Sequence, residues 1–298
     1  MNDPAALATH RPDGARSARH ALGWMIVSSM LFAIVMLAVR LCLEDLPPTQ
    51  TAALRYMVGI CLLLPVAWRT LPQLWRSPVR GALAGRGVLH ATGVSLWFFS
   101  INAIPLADVN AILNLSPVWA TIGAALFLGE RLRLRRFMAI MISFAGALII
   151  IKPGFAAIGM GTMAVMVTAA CFAFSDLIAK QLKAHHDDKF IIFALSVTIT
   201  LVSLPLALPV WQPMSAINWI GILVIGVAAT LGHVTLMRSF AGPMWAAQAG
   251  KYIQLLFVIL FGITLFDEIP TVSTLVGAMV VLGGVSYIAI RERHRGAQ

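Results

Sequence analysis

Ten long apolar segments, separated by short polar loops, constrain this chain more than any other feature of its sequence. They lie near residues 21–40, 49–68, 84–103, 107–128, 135–152, 158–181, 189–210, 216–237, 244–266 and 271–290. A helix needs about 20 mostly apolar residues to cross a bilayer, and a backbone in lipid must satisfy its own hydrogen bonds. With 59% hydrophobic and 11% charged residues, the sequence therefore predicts an all-α integral membrane protein with ten transmembrane helices.

The Lys and Arg residues predict which side of the membrane each loop faces. Of these 22 residues, 18 fall on the side that holds both termini. Arg40 and Lys152 fall on the opposite side, and Arg55 and Lys251 fall within spans. Short loops rich in Lys and Arg stay in the cytoplasm. We therefore expect a multi-pass protein of the cell inner membrane with both termini cytoplasmic, whose net charge of +10 reflects its loops rather than a nucleic-acid partner.

The cysteines and the motif content argue against several kinds of site. Cys42, Cys61 and Cys171 form no CxxC pair, so we expect packing residues rather than disulfides or a zinc site. No HExxH, GxSxG or P-loop motif occurs in the sequence. A lipid-modifying enzyme would need clustered carboxylates for a metal, or a nucleophile with its base. We therefore expect a protein without metal or cofactor, and a transporter rather than an enzyme.

The two halves of the chain share a sequence pattern. At an offset of 138 residues the matches include prolines, glutamates and glycines, namely Pro105 with Pro243, Glu130 with Glu268 and Gly146 with Gly284. At an offset of 140, Arg40 matches Lys180. Each half has five predicted spans, an odd number, so the second half must enter the membrane from the opposite side. The prediction is a cytoplasmic tail at 1–20, inverted repeats at 21–152 and 158–290 around a central cavity, and a C-terminal tail at 291–298.

One stretch of the first half, residues 102–153, carries a recognisable set of motifs: Pro105-Leu106-Ala107, Pro117, Leu128-Gly129-Glu130-Arg131 and Ala145-Gly146. This stretch resembles the EamA-type domain of the drug/metabolite transporter superfamily. In the second half, Asp267-Glu268 stands where Gly129-Glu130 would recur, and Leu255 replaces Pro117. The resemblance implies a small-solute exporter with two five-helix halves. Among the subgroups, the chain looks most like bacterial amino-acid exporters, including the aromatic amino-acid exporter.

Two predicted helices carry polar stripes that suit a substrate pathway. In the fourth span, Asn110, Asn114 and Pro117 recur at i, i+4 and i+7, along one face. The ninth span carries a matching stripe of Gln248, Lys251 and Tyr252. We expect these polar atoms either to line a midplane cavity or to form interhelical hydrogen bonds. Pro117 also predicts a kink or hinge, because proline lacks a backbone donor and crowds the preceding turn.

Three charged residues within the predicted spans have two interpretations each. Lys251 is expected either to attract a substrate carboxylate or to snorkel to the cytoplasmic interface. Asp176 is a coupling candidate or pairs with Lys180 at i+4. Arg55 is a gating candidate or forms an ion pair with an acid of a nearby loop, namely Glu44, Asp45 or Asp108.

Histidine and aromatic residues complete the candidate site. His90 and His233 are each either a carrier of a coupling proton or a hydrogen-bonding residue. Ser95 is the counterpart of His233 at the 138 offset. Trp97 and Phe98, like Tyr252, are expected either to form apolar walls of a pocket or to anchor the chain at the membrane interface.

The sequence thus predicts a secondary exporter of amino acids of broad specificity, including aromatic ones, that works by alternating access. Alternatives with the same fold are exporters or exchangers of nucleosides, vitamins or cationic drugs, an importer, or a passive channel. An intramembrane lipid-modifying enzyme is the alternative from another class. The expected partners are a small-molecule substrate and the bilayer, proton coupling is left open, and the oligomeric state is not predicted.

Overall fold

The computed structural model of the chain describes residues 14–116, 118–119, 122–123, 134–151, 159–182, 184–239 and 253–295, and within these ranges the regular structure is helical, without a strand. In the first half, the helices are α1 (Gly14–Cys42), α2 (Pro48–Ala67), α3 (Leu71–Arg76), α4 (Arg80–Ala103), α5 (Leu106–Leu113) and α6 (Leu134–Ile151). In the second half they are α7 (Met160–Leu182), α8 (Asp188–Ala207), α9 (Ala216–Ser239), α10 (Ile253–Phe266) and α11 (Val272–Arg295).

Four of the described helices are by themselves long and apolar enough to cross a membrane. The qualifying segments are Arg19–Cys42, Met160–Ala179, Asp188–Val210 and Ala216–Ser239. Pro48–Pro65 and Trp68–Arg76 meet the same criterion together but bend by 98° at their junction. Shorter apolar helices lie at Ile253–Phe266 and Val272–Gly283. An all-helical membrane protein is therefore confirmed, whereas the number of ten spans stays a prediction.

The fourth predicted span, residues 107–128, does not form one continuous helix in its described part. The helix α5 ends at Leu113, and Asn114 and Leu115 form a turn in which Leu115 N donates to Ile112 O at 2.9 Å. A proline ring crowds the carbonyl of the residue four positions earlier, which for Pro117 is Leu113. The interruption therefore falls where a proline at 117 would place it, although Pro117 itself lies outside the described residues.

The helices pack in pairs that join the two halves of the chain. The main pairs are α1 with α9, α4 with α7, α2 with α8, and α6 with α11. Smaller contacts join α2 to α9, α4 to α8, α1 to α10, and α5 to α7. Because the halves interleave in this way, residues far apart in sequence meet in the interior.

Very close helix contact occurs between α6 and α11. A Cβ atom on Gly146 would lie 2.8 Å from Gly277 O, and a Cβ on Gly277 would lie 2.5 Å from Gly146 O. Only residues without a Cβ allow two helix backbones to approach this closely, which is a common solution in membrane bundles. These two glycines therefore fix the distance between α6 and α11.

Candidate functional site

Helices α1, α2, α4, α7 and α9 bring basic and aromatic side chains together in the interior. The members, here called the arginine–histidine cluster, are Phe32, Arg55, Tyr56, Arg86, His90, Phe172, Ser175, Asp176 and His233. Each lies at least six residues from either end of its helix, which corresponds to about 9 Å along the axis. The cluster therefore lies at membrane depth rather than in the loops.

The two histidines predicted as coupling candidates are neighbours in this cluster. Their ring centroids are 6.5 Å apart. His90 Nδ1 lies 3.0 Å from Ser175 Oγ, and the His90 ring stacks on Phe172 with centroids 4.7 Å apart. His233 meets Phe32 edge to face at 5.2 Å. Both rings are therefore held in place by aromatic contacts, and that of His90 also by a hydrogen bond.

Two buried arginines, Arg55 and Arg86, lie near the two histidines. The guanidinium carbon of Arg55 lies 3.9 Å from the centre of the Tyr56 ring, and Arg86 Nη1 donates to Ile191 O at 3.2 Å. Arg55 is 4% exposed and Arg86 is 7% exposed. Both arginines lie close enough to the two histidines to interact with them electrostatically. The described part of the interior therefore holds two guanidinium groups near the histidines.

Several hydrogen-bond donors in and beside this cluster are buried without an acceptor among the described residues. They are Arg55 Nε and Nη1, Tyr56 Oη, Arg86 Nε and Trp97 Nε1. An unsatisfied buried donor costs about 1–3 kcal/mol, and more when it is charged. Proteins pair the great majority of such groups. These donors are therefore the best-placed groups in the described chain to bind acceptors of a ligand.

The predicted aromatic wall joins the cluster through α7. Trp97 and Phe98 are buried and stack with ring centroids 5.5 Å apart, and Trp97 meets Phe172 edge to face at 6.2 Å. Ser95, one turn from Phe98 on α4, is half-buried. Trp97 and Phe98 thus lie in the core of the bundle, which favours the wall interpretation over an interface anchor.

The asparagines of the fourth span pair with each other. Asn110 and Asn114 are both buried, and Asn114 Nδ2 donates to Asn110 Oδ1 at 3.4 Å. This long contact lies within one helical turn and satisfies only part of the capacity of two amides. Of the matching stripe on the ninth span, Gln248, Lys251 and Tyr252 lie outside the described residues.

The structure corrects two sequence expectations about charged residues. Asp176, which lies within the predicted span 158–181, is nevertheless exposed, and it interacts electrostatically with Arg86. The alternative expectation was a pair between Asp176 and Lys180. The side chain of Lys180 lies outside the described part of the chain. Arg86, which was counted among the Lys and Arg residues on the cytoplasmic side, is buried inside α4, six residues after that helix begins at Arg80.

No ion pair of Arg55 is found among the described residues. Two of the three acids that were expected to pair with Arg55 bind other partners. Asp45 Oδ1 accepts from Asn218 Nδ2 at 2.9 Å, and Asp108 Oδ1 accepts from Thr274 Oγ1 at 2.7 Å. Asn218 and Thr274 are distant in sequence, so no local pattern indicated them. Sequence reasoning also missed Tyr56, whose position one residue after Arg55 was the available signal.

A second charged cluster lies at one end of the bundle. Arg40 Nη2 forms a salt bridge with Glu268 Oε1 at 2.6 Å, and Arg40 Nη1 donates to Ile101 O and to Ile104 O at 2.9 Å. Glu268 Oε2 accepts from Leu106 N at 2.9 Å. These five residues, here called the Arg40 cluster, connect the end of α1 to the α4–α5 junction and to the segment between α10 and α11.

Comparison with known proteins identifies the kind of protein that carries these two clusters. Residues 20–152 match the EamA-like transporter family. The first half of the chain is therefore similar to the EamA-like transporter family. The family and the named relatives below are transporters, which confirms the expectation of a small-molecule transporter rather than an enzyme.

Three relatives of this chain align with it over most of their own length. The pseudopaline exporter CntI of Pseudomonas aeruginosa is 28% identical over 91% of this chain and 95% of the relative. A riboflavin transporter of Vibrio cholerae is 28% identical over 89% and 91%, and an S-adenosylmethionine uptake transporter of Rickettsia felis is 21% identical over 94% and 96%. A crystal structure that is 16% identical superposes with a TM-score of 0.60 over 93% of this chain and 99% of that chain, so the two share a fold.

Proposed function

We propose that this EamA-like transporter is a secondary exporter of amino acids and related small metabolites, including aromatic ones, in the cell inner membrane. Basic groups beside aromatic walls suit solutes that combine a carboxylate with an apolar body. The pseudopaline exporter among the relatives supports export as the direction. Both termini are proposed to lie in the cytoplasm, as the loop charges predict.

The pattern of helix pairs carries the proposal of alternating access. If the two halves are repeats, α1, α2, α4 and α6 correspond to α7, α8, α9 and α11. A two-fold axis between the halves then maps the pair α1–α9 onto α7–α4 and the pair α2–α9 onto α8–α4. The same axis passes between α2 and α8 and between α6 and α11, so each of these two pairs maps onto itself. All six pairs are present. The pattern supports two repeats, residues 21–152 and 158–290, and such inverted halves have two similar arrangements, each open to one side.

The Arg40 cluster is proposed to close the outer end of the pathway. It holds three separate parts of the chain together, so solute entry or exit between them requires the salt bridge to break. At the repeat offsets, Arg40 corresponds to Lys180 and Glu268 to Glu130. We expect that second pair to close the inner end when the outer end opens, although both side chains lie outside the described part of the chain.

The other sequence candidates keep proposed roles on the pathway. Lys251 is proposed to contact solute near the inner end, together with Gln248 and Tyr252. His90 and His233 are proposed carriers of a coupling proton. Replacement of Lys251 with Ala should then impair transport of carboxylate-bearing solutes without loss of membrane insertion, and unchanged flux would remove Lys251 from the pathway.

Counterflow in proteoliposomes tests the proposal. Vesicles are loaded with one unlabelled amino acid, labelled amino acid is added outside, and protein-free liposomes are the control. Transient accumulation with aromatic and aliphatic amino acids is the expected result. Folded protein that exchanges no amino acid would contradict the amino-acid assignment. Flux with and without an imposed proton gradient then tests coupling and direction.

The names of two relatives favour a second candidate, a transporter of vitamins or nucleoside derivatives that works in the uptake direction. Riboflavin and S-adenosylmethionine therefore belong in the same counterflow series. Exchange of either compound at lower concentration than any amino acid would favour this second candidate.

A further inference from the structure

The guanidinium of Arg55 has unusual hydrogen bonding for a buried charge. Its Nε and Nη1 lie on different donor edges, and neither has an acceptor among the described residues. Each edge of a guanidinium matches the spacing of two carboxylate oxygens. Arg86 keeps an unpaired Nε as well, while its Nη1 is used by Ile191 O. Two adjacent helices, α2 and α4, thus present guanidinium donors that the described protein does not use.

The charge balance of the cluster favours an anion. Arg55 and Arg86 each carry a positive charge, and Asp176 is the carboxylate described beside them. Among the described residues, one positive charge is therefore in excess even with both histidines neutral. An anionic solute would offset this excess inside the membrane, whereas a cation would be repelled.

The exposure of Asp176 indicates how a solute reaches these donors. Asp176 lies six residues before the end of α7, within a span, and its side chain is exposed. We expect a carboxylate at that depth to face water rather than lipid. Since Asp176 interacts with Arg86, this water-accessible surface is expected to adjoin the arginine–histidine cluster.

The aromatic groups beside the donors define the rest of the ligand. Trp97 stacks on Phe98 and touches Phe172, which in turn stacks on His90. The unpaired indole Nε1 of Trp97 is a further donor in this wall. Small-molecule sites combine apolar walls with a few polar groups in this way.

We infer that the arginine–histidine cluster is the solute site of this transporter and that it takes organic acids. The carboxylate binds Arg55 and Arg86, and an aromatic or aliphatic body packs against Trp97, Phe98 and Phe172. An amino group on the solute is not required. This substrate class rests on the proposed transport function and narrows it.

Three ligands that differ only in their charged groups test the inference. They are L-phenylalanine, which has a carboxylate and an ammonium, 3-phenylpropanoate, which has only the carboxylate, and 2-phenylethylamine, which has only the ammonium. Affinity is measured with the purified full chain in detergent, from the rise in unfolding temperature with ligand concentration. We expect both acids to bind at least tenfold more tightly than the amine. Equal or tighter binding of the amine would overturn the inference.

Arginine variants locate the binding site. Arg55→Gln and Arg86→Gln should each weaken 3-phenylpropanoate binding at least tenfold, and Arg55→Lys should weaken it less because it keeps the charge but loses the planar donor edges. Arg80→Gln is the matched control, since Arg80 is an exposed arginine on the same helix as Arg86. Should Arg55→Gln fold incorrectly, the 3-phenylpropanoate affinities of Arg55→Lys and Arg86→Gln test the assignment instead. Affinities within twofold of the unaltered protein in the folded variants would overturn the assignment.

Counterflow on the unaltered protein separates the two proposals. Exchange of any solute supports transport, and preference for the amine within that exchange would overturn only the organic-acid site. If no solute is exchanged, but 3-phenylpropanoate still binds and Arg55→Gln abolishes that binding, the transport proposal is overturned and the organic-acid site is not.

Discussion

The two basic regions of the bundle use arginine in opposite ways. At one end, the guanidinium of Arg40, whose side chain is 20% exposed, bonds to Glu268 and to two backbone carbonyls. In the interior, Arg55 is 4% exposed, and two of its nitrogens have no acceptor among the described residues. The more accessible arginine is thus the better paired one. Burial without pairing is costly, so it indicates a binding role, whereas the paired arginine holds helices together.

The largest expected effect comes from breaking the paired region. Arg40→Gln should lower the free energy of unfolding by about 2–3 kcal/mol, since hydrogen bonds to charged groups contribute about 1.5–3 kcal/mol. Chemical unfolding in detergent measures the change. Arg69→Gln, an exposed arginine outside both clusters, is the control. A stability equal to that of the control would show that the Arg40 cluster does not stabilise the bundle.

A double-mutant cycle sharpens the same point. Arg40→Gln and Glu268→Gln, alone and combined, should give a coupling energy of about 1–2 kcal/mol, because the two groups touch and share a network. The same unfolding assay applies to all four proteins. Additive effects would mean that the backbone carbonyls, rather than Glu268, hold Arg40.

The interior arginine should respond differently. Arg55→Gln should change the unliganded stability by no more than about 1 kcal/mol, because the contact with Tyr56 that it loses contributes about 0.5–2 kcal/mol and removal of a buried charge offsets that loss. Ligand affinity should nevertheless fall tenfold. A stability loss as large as that of Arg40→Gln would abolish the distinction between the two regions.

The smallest effect is expected at the neutral asparagine pair. Asn114→Leu should cost no more than about 0.6 kcal/mol, the average for a hydrogen bond between membrane helices, because its contact with Asn110 is long and lies within one helical turn. If Asn114 also lines the pathway, uptake from the outer face of proteoliposomes should fall. Normal uptake with normal stability would leave Asn110 and Asn114 without a role in either region.

The helices were predictable because hydropathy and length decide them. The described helices begin and end within a few residues of most predicted spans, and the break after Leu113 falls where a proline at position 117 would place it. The burial of Arg86 was not predictable, since an arginine six residues inside a helix is hard to distinguish from the basic loop before it. The local charge pattern likewise suggested acids for Arg55 that pair elsewhere.

The meeting of His90 and His233 also depends on packing. Their helices, α4 and α9, are counterparts in the proposed repeats, and the repeat offset aligns His233 with Ser95 rather than with His90. An offset relates equivalent positions, whereas contact depends on how the halves interleave. Only the three-dimensional pairing of α1, α4, α7 and α9 brings the two rings together, with His90 on Phe172 and His233 on Phe32.

Alternating access requires that the Arg40 cluster open during each cycle, and cross-linking tests this requirement most directly. Arg40→Cys and Glu268→Cys are combined in a protein whose native cysteines are replaced by Cys42→Ser, Cys61→Ser and Cys171→Ala. Counterflow is then measured before and after treatment with a short reducible bifunctional thiol reagent. We predict that cross-linking stops counterflow and that reduction restores it, with no effect of the reagent on either single-cysteine protein. Undiminished counterflow through the cross-linked protein would contradict the account.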